Sequence, residues 1–176
     1  FISKIKKTIN SFVYSEDSQT MEDIIVSLLK LKEKTLVTAE SCTGGLISNR
    51  ITNISGSSKV FKGSVVSYSN QSKIELLNVD KEIINKFGAV SEQVASLMSK
   101  NALKLFSSDY ALSVTGIAGP RGGTKDKPVG LVYIGLSHKL KTEVKKFQFG
   151  NDRKINKIKT SQASLNMLRR TILNDE

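Results

Sequence analysis

A run of small polar residues, Glu40-Ser41-Cys42-Thr43-Gly44-Gly45, lies where a predicted short strand turns into a helix. Such a turn exposes hydroxyl and thiol groups, and it directs free N–H groups outward, where they can stabilise an oxyanion or a phosphate. The alternative is a simple helix cap with glycines for close packing. Spacing alone does not choose among Ser41, Cys42 and Thr43 as a nucleophile.

Lys73 is the second residue that could do chemistry. It lies three residues after Asn70 in the first turn of a predicted helix, where the helix dipole favours a neutral amine. If the side chain is also buried, a neutral lysine can act as a general base near neutral pH. An ordinary exposed lysine is the alternative, because the chain is rich in lysine.

Two further features narrow the chemistry. His138, the only histidine, lies at a predicted strand end among lysines, which predicts a surface residue and disfavours histidine triads and histidine-ligated metal sites. The glycine-rich segment 116–123 follows a strand, but it has neither the dinucleotide-binding nor the P-loop spacing. It remains a candidate loop for binding an anion or another ligand.

The composition limits the class of protein. A chain of 176 residues can bury one good core, and no apolar run has membrane-spanning length. A single cysteine and no secretory signal predict a cytoplasmic protein without an internal disulfide. Segment 139–170 has ten basic and two acidic residues and so supplies +8 of the net +11. A solvated face is the plain interpretation, and an anionic substrate or nucleic acid is the alternative.

Hydrophobic periodicity predicts the elements that position these residues. Helices are expected over about 20–33, 46–53, 69–79 and 91–106, and in a last segment with Ile155, Ile158, Leu165, Leu168 and Ile172 inward. Strands are expected over 35–39, 60–68, 110–115, 130–138 and 142–149, the last two as a hairpin. This order predicts a three-layer α/β/α domain over 20–174, with a mixed, mostly parallel sheet of about five strands, after a basic leader or linker over 1–19.

Six motifs follow one another along the chain: Thr38-Ala39-Glu40-Ser41-Cys42-Thr43-Gly44-Gly45, Gly56-Ser57-Ser58, Tyr68-Ser69-Asn70 with Lys73, Gly88-Ala89-Val90-Ser91, Thr115-Gly116-Ile117-Ala118-Gly119-Pro120, and Lys127-Pro128-Val129-Gly130. Their order and gaps closely resemble the CinA C-terminal family, over about Met21 to Arg170. The resemblance implies a nicotinamide-nucleotide amidase, which converts nicotinamide mononucleotide to nicotinic acid mononucleotide and ammonia in pyridine nucleotide salvage.

The resemblance also implies roles for individual residues. Ser41 would be the nucleophile and Lys73 its base, and amide N–H groups near Thr43 to Gly45 would hold the oxyanion. The implied catalytic residues are Ser41, Lys73, Tyr68 and Thr115, the last two positioning the carboxamide or the lysine. The implied substrate-binding residues are Glu40, Thr43, Gly44, Gly45, Gly116, Gly119 and Arg153. No metal or cofactor is implied.

Arg153 is the candidate for the substrate phosphate. Relatives often have Gly-Asp-Arg or Gly-Asn-Arg before the last helix, whereas Gly150-Asn151-Asp152-Arg153 is one residue longer, which changes the reach expected of the arginine. The resemblance further implies a homo-oligomer, a dimer or higher, with no membrane or nucleic acid partner. Phe1 and the basic leader resemble the tail of a preceding pyrophosphatase domain. The alternative function is a non-catalytic nucleotide-binding or oligomerisation module of such a two-domain protein.

Overall fold

The computed structural model describes residues 13–15, 18–139 and 141–175, so most of the predicted leader over 1–19 lies outside the described residues. The helices in this part of the chain are α1 Met21–Leu31, α2 Leu46–Thr52, α3 Asn70–Leu77, α4 Lys81–Phe87, α5 Glu92–Phe106 and α6 Arg153–Asn174. The strands are β1 Leu36–Glu40, β2 Phe61–Val66, β3 Tyr110–Gly116, β4 Leu131–His138 and β5 Thr142–Gln148, and a short 3-10 turn, Ser57–Lys59, precedes β2.

The strands form one mixed sheet in the order β2-β1-β3-β4-β5. β1 is parallel to both β2 and β3, whereas β4 is antiparallel to β3 and forms a hairpin with β5. The last residue of β1, Glu40, pairs with Val66 of β2 and Val114 of β3. Three parallel strands therefore end together at one edge, where ligands commonly bind in sheets of this kind.

Helices cover both faces of the sheet because side chains alternate between its faces. One core cluster joins α1, α2 and α6 to residues such as Leu36 and Leu112, and the other joins α3, α4 and α5 to Val37, Ala39 and Ala111. The three-layer α/β/α prediction with a mixed sheet of about five strands is confirmed. Among the described residues, no helix combines the length and apolarity needed to cross a membrane.

Helix starts follow the capping residues that the sequence contains. Thr20 forms a capping box with Asp23, and the hydroxyls of Ser69 and Ser91 accept hydrogen bonds at the starts of α3 and α5. Such caps contribute roughly 1 kcal/mol each. The predicted starts of α1, α3 and α5 are therefore confirmed to within a residue.

One helix was not predicted, and one expectation about another helix is wrong. Helix α4 has only seven residues and one buried apolar side chain, Ile84, so its periodicity is too short to be recognised. Ile155 and Ile158 are about half exposed, although both were expected to point inward. The buried apolar positions of α6 begin at Leu165, because the inward positions before it carry polar side chains, among them Asn156 and Thr160.

Candidate active site

Ser41 lies immediately after β1, at the edge where the parallel strands end. Its N–H donates to the Val114 carbonyl at 3.0 Å, and the Ser67 N–H donates to the Glu40 carbonyl at 2.8 Å, so neighbouring strands hold the turn on both sides. Residues 37 and 39 pack towards α5, and alternation places the Ser41 side chain on the same face. Ser41 is 7% exposed, which leaves a narrow approach for a ligand.

Lys73 extends from α3 towards the Ser41 hydroxyl. Its Nζ lies 3.0 Å from Ser41 Oγ, 2.8 Å from the Ser67 carbonyl oxygen and 3.5 Å from the Ser69 carbonyl oxygen. The residue is only 1% exposed, so the exposed-lysine alternative is wrong. The capping box at Ser69 fixes the start of α3, and one turn of helix then brings the amine to Ser41.

Burial lowers the pKa of Lys73, because the amine loses contact with water; the nearby Cys42 thiol acts weakly in the opposite direction. No carboxylate in the described part of the chain forms an ion pair with this amine. A neutral amine has two N–H groups and one lone pair. The carbonyls of Ser67 and Ser69 can accept from both N–H groups, which turns the lone pair towards the Ser41 hydroxyl.

The geometry separates Ser41 from its two neighbours. Burial raises the pKa of the Cys42 thiol to about 12, so it stays protonated near neutral pH, where a thiolate would be needed for attack. Thr43 is completely buried, and its hydroxyl has no hydrogen-bond partner among the residues described. Of the three residues that spacing left open, Ser41 is the one that contacts Lys73.

Glu40, for which the resemblance implies substrate binding, lies against the start of α2. Its carboxylate is fully buried on the α2 face of the sheet and accepts hydrogen bonds from the N–H groups of Ile47, at 3.0 Å, and Ser48, at 2.8 Å. A carboxylate stabilises the positive start of a helix. Glu40 therefore fixes the turn that bears Ser41, and the hydrogen bonds of its carboxylate are made to that turn.

Gly44 and Gly45 shape that turn through backbone angles that favour glycine, with φ of +61° and +90°. The Gly44 N–H donates to the Ser41 carbonyl at 3.0 Å, so it is already used within the turn. The N–H groups of Thr43 and Gly45 have no acceptor in the ranges that the structure describes. Thr43 is completely buried, so the N–H of the partly exposed Gly45, rather than that of Gly44, is the donor available to a bound oxyanion.

Thr115 and Gly116 hold the surroundings of the site. The Thr115 hydroxyl donates to the Ala89 carbonyl at 2.8 Å and so ties the end of β3 to the loop before α5. A β-carbon at Gly116 would lie 2.8 Å from the Leu131 carbonyl oxygen, so this glycine permits close packing against β4. Thr115 and Gly116 therefore make contacts that support the end of β3, and their implied roles towards lysine or substrate stay predictions.

Arg153 joins two walls of the site. Its Nη1 donates to the Gly119 carbonyl at 3.1 Å, and its Nη2 donates to the Tyr68 hydroxyl at 2.6 Å. Tyr68 is 59% exposed and contacts Arg153 rather than Ser41 or Lys73. Asp152 caps α6 by accepting from the Ile155 N–H at 2.8 Å. The longer run before α6 thus still brings its arginine to the mouth of the site.

Sequence reasoning did not single out Lys157 or Ser67. Lys157 approaches Gly44, since a β-carbon there would lie 3.6 Å from its Nζ. The sequence could have indicated Lys157 by its spacing of four residues from Arg153, because residues at that spacing share a helix face. The carbonyl of Ser67 holds the Lys73 amine, and only the tertiary structure reveals this contact.

His138 lies at the opposite end of the sheet, where it pairs with Tyr110 at the amino end of β3. Its ring stacks on Tyr110, and its Nδ1 is 3.2 Å from Asp175 Oδ2. The prediction of a surface histidine is wrong, because the side chain is only 12% exposed. In the described ranges, no group of three or more His, Cys, Asp or Glu side chains could hold a metal ion.

Known proteins share both the sequence and the fold. A putative competence-damage inducible protein from Caldicellulosiruptor saccharolyticus is 46% identical over 172 residues, which is 98% of this chain and 42% of that protein. A CinA-like protein from Prochlorococcus marinus is 47% identical over 176 residues, 98% of this chain and 41% of that protein. The chain thus spans about two fifths of the length of these relatives.

The crystal structure of the competence/damage inducible protein CihA from Agrobacterium tumefaciens matches with a TM-score of 0.83 and 37% identity, covering 84% of this chain and 91% of that one. The competence damage-inducible protein A from Klebsiella pneumoniae matches with a TM-score of 0.84 and 28% identity, covering 90% and 100%. A family model described as the CinA C-terminal domain matches residues 18–172. Because that match includes nearly the whole chain, the chain belongs to the CinA C-terminal domain family.

Proposed function

We propose that this domain is an amidohydrolase that uses Ser41 as nucleophile and Lys73 as base to deamidate nicotinamide mononucleotide. The observation that carries the proposal is the 3.0 Å contact between a buried lysine amine and a serine hydroxyl. Among the described residues no carboxylate forms an ion pair with this amine, and its pKa is lowered. A neutral amine beside a hydroxyl is an activated nucleophile. The motif resemblance supplies the substrate, and the geometry supports the type of reaction.

In the first half-reaction, the lone pair of Lys73 takes the Ser41 hydroxyl proton as Oγ attacks the carboxamide carbon. The carbonyl oxygen becomes an oxyanion, which the unpaired N–H group of Gly45 would stabilise. Lys73, now an ammonium, gives its proton to the amide nitrogen as the C–N bond breaks. Ammonia leaves, and the nicotinic acid group remains as an ester on Ser41.

In the second half-reaction, one water molecule attacks the ester carbon. Lys73 is neutral again and accepts a proton from that water, and the new tetrahedral intermediate breaks its bond to Ser41 Oγ. The proton on Lys73 returns to Ser41 Oγ, so the site is restored. One water is consumed, and the products are nicotinic acid mononucleotide and ammonia.

The setting of this reaction belongs to the same proposal. We place the domain in the cytoplasm, as a homo-oligomer of two or more copies, and without a metal or cofactor. In the full-length protein it would follow an N-terminal domain with pyrophosphatase activity, in keeping with relatives more than twice as long as the stretch they share with this chain.

Ammonia release from nicotinamide mononucleotide tests the proposal. Ser41→Ala should lower kcat by at least about 10³-fold, since it removes the nucleophile. Cys42→Ala is the matched control and should keep the activity, because that thiol is buried and protonated. Rapid quenching and mass spectrometry should detect the ester on Ser41 of the wild-type protein.

Full activity in Ser41→Ala would overturn the mechanism. A wild-type protein that binds the nucleotide but releases no ammonia would instead favour the non-catalytic binding or oligomerisation module.

A further inference from the structure

Three cationic side chains line one cleft of about 470 Å³ beside Pro120: Arg153, Lys154 and Lys157. The one acidic residue of this cleft is Asp152, and its carboxylate accepts the Ile155 N–H at the start of α6. Neither Lys154 nor Lys157 forms an ion pair or hydrogen bond within the described residues. The cleft therefore carries positive charge that the part of the chain described by the structure does not neutralise.

Arg153 is largely engaged by the protein. Both of its terminal nitrogens donate hydrogen bonds, one to the Gly119 carbonyl and the other to the Tyr68 hydroxyl. These contacts tie the loop after β3 to the residue just beyond β2. Arg153 is thus suited to hold two walls of the cleft in place, as a positioning residue.

Lys157 lies one helical turn after Arg153 on the same face of α6, and it is partly buried. Its amine approaches the backbone of Gly44, where a β-carbon would lie 3.6 Å from Nζ. Gly44 is exposed and follows Ser41 by three residues. An unpaired cation therefore lies at the edge of the turn that carries the Ser41 hydroxyl.

We propose that Lys157 is a specificity-determining residue that binds the phosphate of a nucleoside monophosphate substrate, with Lys154 at the outer end of the cleft. A lysine amine binds phosphate as a compact point charge, and the Lys157 amine lies beside Gly44, three residues after Ser41. Arg153 then holds Gly119 and Tyr68 in place and does not bind the phosphate. This inference rests on the proposed amidase function and names the group by which the site selects its substrate.

The experiment compares nicotinamide mononucleotide with nicotinamide riboside, which lacks the phosphate. Lys157→Met keeps the length of the side chain and removes its charge. It should raise KM for the mononucleotide by about 10- to 100-fold, the equivalent of one charge-assisted hydrogen bond, with little change in kcat. Turnover of the riboside should not change.

Lys159→Met is the matched control, since it makes the same change on α6 at a residue that does not line this cleft; both substrates should behave as with wild type. Arg153→Gln should lower kcat for both substrates alike, because it releases Tyr68 and Gly119.

An active protein in which Lys157→Met leaves KM for the mononucleotide unchanged, or raises it equally for both substrates, would overturn the phosphate assignment alone. A wild-type protein that releases no ammonia from either substrate would overturn the proposed function and this inference together.

Discussion

At the amino ends of β1 and β3, the carboxylate of Asp109 lies among donors: the Thr35 N–H, the Thr35 hydroxyl and the Lys34 amine, all within 3.0 Å. At the carboxyl ends of the same strands, the hydrogen-bond partners of the buried Lys73 amine among the described residues are two carbonyls and the Ser41 hydroxyl. Burying an ionisable group without an opposite charge costs free energy, which hydrogen-bonded pairs offset. The two ends of the sheet therefore serve different purposes.

The pKa shifts express the same difference. Burial alone would raise the pKa of Asp109, but the hydrogen bonds from Thr35 and Lys34 outweigh it and hold the pKa below 3.8. Burial lowers the pKa of Lys73 without a strong opposing partner. The carboxylate is held in its charged form and stabilises the fold, whereas burial favours the neutral form of the amine, which can accept a proton.

The largest effect should come from Lys73→Met, which removes the base and keeps an apolar chain in the buried space. We expect kcat for ammonia release to fall by about 10³-fold. The free energy of unfolding should stay within about 1 kcal/mol of wild type, because the three lost hydrogen bonds oppose the gain from no longer burying an amine. Thermal unfolding and the ammonia assay together measure both quantities.

The pH dependence has a definite sign. The unfolded lysine keeps its proton up to about its ordinary pKa of 10.5, whereas the folded one releases it at lower pH, so folding releases a proton in that window. Wild type should therefore gain stability relative to Lys73→Met as pH rises towards 10.5, and its activity should fall as pH falls through the lowered pKa. Unchanged activity in Lys73→Met would contradict a catalytic role for the carboxyl end of the sheet.

A smaller effect, on stability alone, should follow from Asp109→Asn at the amino end. The loss of charge-assisted hydrogen bonds should reduce the free energy of unfolding by about 1–2 kcal/mol, measured by urea denaturation, and leave ammonia release unchanged. Because the folded pKa is lowered, this contribution is present above 3.8 and is lost as pH falls through the folded value.

Lys34→Met is the comparison at that end. This substitution should lower the free energy of unfolding by less than about 1 kcal/mol, because both members of the Lys34–Asp109 ion pair are partly exposed to solvent. A loss of activity in Asp109→Asn without a loss of stability would contradict a purely structural role for this end of the sheet.

The smallest effect should come from Ser67→Ala at the carboxyl end. The Ser67 hydroxyl is buried without a partner among the described residues, while its backbone carbonyl, which holds Lys73, is kept. Activity should stay within about twofold, and stability should be equal or slightly higher, because an unpaired buried hydroxyl contributes nothing.

Ser99→Ala offers a contrast, since its hydroxyl lies 2.7 Å from Ser137 Oγ in a buried chain of hydroxyls. It should lower the free energy of unfolding by about 1 kcal/mol. A large loss of activity in Ser67→Ala would instead give its hydroxyl a part in the reaction.

Local signals in the sequence were sufficient for most of the fold. Capping residues such as Thr20, Ser69 and Ser91 and the alternation of helices and strands predicted the layers, because these signals act within a few residues. The signals failed for α4, which has too few turns for a period, and for Ile155 and Ile158. Periodicity identifies an apolar stripe but not how far the core extends beneath it.

The candidate site divides in the same way. The sequence by itself determined that a Ser-Cys-Thr turn precedes a helix, that a lysine begins another, and that the only histidine lies elsewhere. Only the tertiary structure decided that Lys73 contacts Ser41, which is 32 positions earlier in the chain. It also decided that Glu40 contacts Ile47 and that Thr115 contacts Ala89. The physical reason is that strand pairing sets which side chains share a face, and burial then sets which of them keep their charge.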